Sequence, residues 1–153
     1  MLLKEPKDII DQQIFDLGGM HIEMIEVPGH TPGMMCPYIP EEKTIFFGDA
    51  CGTSVLLHEE TSTYVSTYKN SLIRLRQMKD QYDVIYRNHG SYTNDKTLLD
   101  NVMECCDLIL KHQDDHHPTT MYGKTIYEAK ERVHGKRTDG KEGNILYAED
   151  KRR

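Results

Sequence analysis

The chain has 153 residues, 37% of them apolar and 29% charged, with a formal net charge of −6. That length suits one domain, and an acidic balance without a basic, aromatic-interleaved stripe argues against a nucleic-acid groove. No apolar run approaches the ~20 residues of a bilayer span, which excludes a membrane helix.

The first elements read as strands. Residues 14–17 and the alternating Ile22, Met24, Ile25 and Val27 flank Gly18-Gly19, which predicts a hairpin. Residues 34–39 and 44–47 predict a second strand pair, joined by Pro40-Glu41-Glu42-Lys43. From 62 to 80 the apolar positions Val65, Tyr68, Leu72, Leu75 and Met78 recur at three and four, which predicts a helix capped by Ser62 or Thr63. Residues 83–87 return to strand. Leu98, Leu99, Val102, Cys105, Cys106, Ile109 and Leu110 then predict a second amphipathic helix from about Asn94 or Asp95. Residues 1–112 therefore read as one α/β (α+β) unit, packed mainly between Ile9 and Leu110. Residues 113–153 read as a polar extension, with a short helix at 125–133 and an edge strand at 144–147. Met1-Leu2-Leu3-Lys4-Glu5-Pro6 lacks a secretory apolar core, so the expected location is cytoplasmic. Cys36, Cys51, Cys105 and Cys106 lack CxxC spacing and are expected to be buried, reduced thiols.

Three strand ends carry the chemistry. In VPGHTPG, Gly29 and Gly33 admit backbone angles that a Cβ resists, while Pro28 and Pro32 stop the strand, so His30 is aimed. TIFF runs into Gly48-Asp49-Ala50, and DVIYRN runs into His89-Gly90. Two neutral imidazoles and a carboxylate suit zinc, and iron or manganese accept the same donors. Asp49 is the natural bridge between two cations, and a hydroxide held there attacks a carbonyl or phosphoryl centre, so the implied reaction is hydrolysis.

The remaining histidines are weaker candidates. His21 and His58 stand alone, although His58 follows the Asp49 turn and is a candidate substrate contact. His112 and His116 are four apart beside Asp114, Asp115 and His117, a spacing that could clasp a metal on a helix. The segment lacks the glutamate of HExxH and reads instead as a solvated helix end.

In their order along the chain, VPGHTPG, TIFFGDA and VIYRNHG resemble the later motifs of the metallo-β-lactamase fold hydrolases, over roughly residues 15–110. The resemblance implies the C-terminal half of an αββα sandwich, a mixed sheet with two main covering helices. It implies that His30 binds the first metal, that Asp49 bridges and is catalytic, and that His89 binds the second metal. It also implies a small ester, thioester or lactone as substrate. The HxHxDH motif of the family's N-terminal half is absent, and too few residues precede His30 to hold it. One histidine and a shared carboxylate per ion hold zinc poorly, so the isolated chain is expected to be truncated and weakly active or inactive. Without the second sheet, strands carrying Ile22, Met24, Ile45 and Phe47 are expected to leave an apolar face uncovered. A homodimer, or a separate N-terminal half, would cover it. The alternative is an interaction module, or a non-catalytic remnant, that needs a partner chain carrying HxHxDH.

Overall fold

Gly18 and Gly19, at φ of +80° and +108°, turn the chain between β1 (Ile14–Asp16) and β2 (His21–Glu26), as the Gly-Gly signal predicts. In the computed structural model, which describes residues 7–89, 92–93 and 95–153, this hairpin opens a five-stranded sheet. β3 (Met35–Ile39), β4 (Thr44–Gly48) and β6 (Val84–Arg87) follow in the order β1-β2-β3-β4-β6. Every pair is antiparallel except β4 with β6, whose parallel pairing requires the crossover through α1 (Val65–Gln77).

The apolar spacing that predicts two helices is correct, with shorter bounds. α1 buries Val65, Tyr68, Leu72 and Leu75. α2 (Thr97–Leu110) buries Leu98, Leu99, Val102, Cys105, Cys106 and Ile109. Neither Ser62 nor Thr63 caps α1, because Tyr64 is its N-cap and makes no side-chain cap bond. Asn94 lies outside the described residues, as do Gly90 and the N-terminal 1–6. Both helices share a core with the side of the sheet that carries Ile25, Cys36, Tyr38, Ile45, Phe47 and Ile85. All four cysteines are buried and free. Burial pushes the Cys105 thiol up to about 11, and drives Cys36, Cys51 and Cys106 up as well, so the thiols stay protonated and inert near neutral pH.

The opposite side of the sheet is open. Strand register puts Phe15 beside Ile22, Met24 beside Pro37, Ile39 beside Thr44 and Phe46 beside Tyr86, all on one face by two-residue alternation. Phe15 and Phe46 are each 36% exposed and Tyr86 41%. The Phe46 and Tyr86 rings stack at 5.1 Å. The expected uncovered face exists, but its membership needs correction. Ile22 and Met24 lie on that side by register, although Met24 is itself buried, whereas Ile45 and Phe47 point to the helices and are fully buried.

The C-terminal segment is more structured than its polarity predicts. β5 (Val55–Leu57), β7 (His117–Met121), β8 (Lys124–Glu128) and β11 (Ile145–Tyr147) form a second sheet in the order β5-β11-β8-β7. The helix expected at 125–133 is absent. Tyr122 and Gly123, both at positive φ, make a hairpin turn, and residues 124–128 then bury Ile126 and Glu128 alternately, which is strand periodicity. The strand expected at an edge is central: β11 runs parallel to β5 and antiparallel to β8, with all three residues buried. Packing therefore continues past Leu110 through Ile126, Ala129, Ile145 and Tyr147. His112 and His116 have positive φ and lie outside α2, so no helix aligns them. A short ribbon of β9 (Arg132–Val133) and β10 (Lys136–Arg137) completes the segment. Among the described residues no helix is long and apolar enough to cross a membrane.

Candidate active site

His30 sits in a turn tied down from three directions. Its Nδ1 lies 2.8 Å from the Leu56 carbonyl at β5. The Ser62 hydroxyl donates to the His30 carbonyl at 2.9 Å, and the Ser71 hydroxyl of α1 donates to the Pro28 carbonyl at 2.7 Å. The Thr63 N–H donates to the Gly29 carbonyl at 2.9 Å. A Nδ1–H given to a carbonyl sets the tautomer and leaves Nε2 as the basic nitrogen, the arrangement usual for a metal-ligating imidazole. The glycines work differently from the expectation. Neither Gly29 nor Gly33 has the positive φ that would demand glycine. Gly29 is required because a Cβ there would stand 2.3 Å from Cδ2 of the fully buried Tyr68, while Gly33 faces open space.

Asp49 follows a break in the sheet. The β4–β6 register shifts between Phe46 and Gly48, and Gly48 adopts φ +54°, so the chain leaves β4 sharply. The Ala50 N–H donates back to the Phe47 carbonyl at 2.8 Å, and the Tyr68 hydroxyl donates to the Ala50 carbonyl at 2.5 Å. His89, two residues beyond β6, brings its Nε2 to 3.2 Å from the Asp49 carboxylate. Asp49 is one-third exposed and His89 is 86% exposed. Both line a cavity of about 300 Å³ whose other walls include Thr53, Ser54, Arg87, Met121 and Arg132. Arg87 is 8% exposed and bonds Glu142 at 3.2 Å. Neither arginine was distinguishable in sequence. Arg87 stands inside a strand, and Arg132 lies beyond the part that reads as packed.

Two of the three expected donors therefore meet, and His30 is not among the residues lining their cavity. His58 is absent from that lining too. It is buried, neither of its ring nitrogens finds a hydrogen-bond partner among the described residues, its Nε2 lies 3.3 Å from the Glu59 carboxylate, and its ring stacks with Tyr122 at 6.2 Å. His116 pairs with Glu149 at 2.7 Å and stacks on Tyr127 at 3.8 Å. The imidazole and carboxylate donors match a borderline first-row cation in kind but not in number. Among the described residues no three His, Cys, Asp or Glu side chains cluster as a metal site would require.

A family model described as the metallo-beta-lactamase superfamily matches residues 3–89, which contain all three strand-end donors. A hydroxyacylglutathione hydrolase of Rhizobium meliloti is 38% identical over 85 residues, 52% of this chain and 31% of the relative. An atrochrysone carboxyl ACP thioesterase of Claviceps purpurea is 32% identical over 93 residues, 58% of this chain and 27% of the relative. Among solved structures, a metallo-beta-lactamase family protein from Thermus thermophilus superimposes with a TM-score of 0.59 at 22% identity, over 76% of this chain and 41% of that one. The chain spans under a third of the length of these curated relatives.

Proposed function

Because the chain belongs to the metallo-beta-lactamase superfamily, we propose that it supplies His30, Asp49 and His89 to the centre of a metal-dependent hydrolase of small esters, thioesters or lactones. The observation that carries this reading is the 3.2 Å approach of Asp49 and His89 from two separate strand ends, in the wall of a cavity large enough for a small acyl group. Similarity to proteins named as a hydroxyacylglutathione hydrolase and an ACP thioesterase favours a thioester within that class. A bound zinc-type cation would supply hydroxide near neutral pH. The chain's own part is to hold His30 in one tautomer through Leu56, to present the Asp49 carboxylate from the rigid turn after β4, and to wall the acyl group with Thr53 and Ser54. Two assembled donors are too few for a tightly held cation, so the activity belongs to a centre completed by further ligands.

A second reading is favoured by one observation, the open apolar face of the five-stranded sheet. On that reading the chain is a module that pairs with a partner chain carrying HxHxDH, or with a second copy. The two readings meet in one experiment, in which the chain is mixed with a polypeptide carrying the HxHxDH strands and assayed on a small acyl thioester with zinc. Turnover should appear on mixing and fall at least about 100-fold with Asp49→Asn, because the bridge and its charge are lost together. Turnover unchanged by Asp49→Asn contradicts the assignment.

A further inference from the structure

The second sheet has a core side and a cavity side. Val55 and Leu57 of β5 and Ile145 and Tyr147 of β11 join the shared core, so two-residue alternation turns Leu56 and Leu146 the other way. Register sets Leu146 opposite both Leu56 of β5 and Glu128 of β8. It sets Met121 of β7 opposite Lys124, which shares the Glu128 face of β8. Leu56, Leu146 and Met121 therefore stand on one face, and all three line the cavity of about 300 Å³ that Asp49 and His89 also line. Leu146 is 2% exposed, and Leu56 and Met121 are partly buried.

The two arginines in the walls of this cavity are already matched. Arg132 lies 2.6 Å from Glu128, itself buried, and donates to the Ser54 hydroxyl at 2.5 Å. Arg87 lies 3.2 Å from Glu142. A charged acyl tail would lose its hydration here and compete with those carboxylates, whereas a hydrocarbon tail gains by leaving water. Leu56 also ties the apolar face to the third donor. Its carbonyl lies 2.8 Å from His30 Nδ1, so the residue that offers an alkyl surface to the cavity also holds the His30 ring.

We propose that this face is an acyl pocket: the substrate carries an uncharged hydrocarbon acyl chain, laid on Leu56, Leu146 and Met121, with its carbonyl carbon toward Asp49 and His89. The substrate role rests on the hydrolase reading above, but the hydrocarbon site does not. Met121 and Leu146 lie outside the stretch matched by the family model, so the C-terminal segment sets the preference for the chain. Met121 is the adjustable part, an unbranched side chain at the end of β7 beside the Tyr122-Gly123 turn.

The test titrates the whole, chelator-treated chain with the uncharged series propanamide, butanamide, pentanamide and hexanamide, and separately with succinamate, following the methyl resonances of Leu56, Met121 and Leu146. Saturable shifts are expected, with affinity rising about fourfold for each methylene until the cavity is filled. Succinamate, with its anionic tail, should bind at least about tenfold more weakly than pentanamide. Met121→Glu should weaken pentanamide at least about tenfold and Met121→Leu should restore it, while Val133→Lys, at an exposed position of the β9–β10 ribbon, should leave it unchanged. No saturable shift, an affinity indifferent to chain length, or succinamate binding as tightly as pentanamide overturns the proposal, as does a folded Met121→Glu chain that binds like wild type. The chain-length series needs no substitution, so it decides the matter even where Met121→Glu fails to fold. Because no turnover is measured, failure here leaves the hydrolase reading standing. A failed hydrolase assay would equally leave the hydrocarbon site standing.

Discussion

Gly29 shows how one residue connects packing to the site. Its missing side chain lets Tyr68 of α1 pack against the turn, and the same tyrosine reaches the Ala50 carbonyl just after Asp49. Tyr68 thus joins the turn that holds His30 to the turn that holds Asp49. Gly29→Ala places a methyl group 2.3 Å from a buried ring carbon, so either the ring or the turn must move. Overpacking of this kind costs about 1–3 kcal/mol. Denaturant unfolding should show that loss, whereas Gly33→Ala, into open space, should be nearly neutral. Equal effects would show that backbone freedom rather than contact governs the turn. Prolines and glycines bracket His30 and mark it in the sequence, but the contact with Tyr68 that makes Gly29 necessary leaves no local mark, because its partner lies far along the chain. Arg132 was missed on the same principle. A cation in a polar tail looks solvated until folding sets it against Ser54.

At the level of elements, long patterns were legible and short ones were not. α1 and α2 repeat their apolar spacing over three turns or more, and the Gly-Gly hairpin declares itself. β8 and β11 have five and three residues, too few to separate a helical period from a strand's, and β11 is central only because a parallel partner, β5, lies far away in sequence. Side-chain partners between elements were equally hidden. His21 of β2 bonds Glu41, in the turn between β3 and β4, through both its ring and its backbone N–H. The His21 hydrogen bond holds the Glu41 carboxyl down at about 2, and Glu41 in turn raises the pKa of His21. The depressed carboxyl contributes stability above its ordinary 4.5, lost as pH falls toward 2. The raised imidazole contributes below its ordinary 6.5, lost as pH rises through its folded value. The pair therefore acts most strongly between pH 4.5 and 6.5. The melting-temperature difference between wild type and Glu41→Gln should be greatest in that window and shrink on both sides. A difference independent of pH would remove the pair from the stability of this hairpin.

On the scale of the whole molecule, two deficits coincide. The sheet carries a face on which Phe15, Phe46 and Tyr86 stay exposed, and the strand ends beside that face hold, among the described residues, two assembled donors where a zinc site takes three or four. The hollow on the open face is lined by Ile22, Pro37, Phe46 and, at its margin, Gly48 and Asn88, which border Asp49 and His89 in sequence. A second sheet laid there would cover the apolar surface and reach the donors from the same side. On the reading proposed above, one partner would supply both the cover for this face and the remaining ligands; the chain spans under a third of the length of its curated relatives. The claim that this chain holds only its share of a metal centre is tested most directly by equilibrium dialysis against zinc, with bound metal counted per chain. The account predicts well under two tightly held ions per chain, and fewer still in Asp49→Asn. Two tight ions per chain, retained in Asp49→Asn, would contradict it.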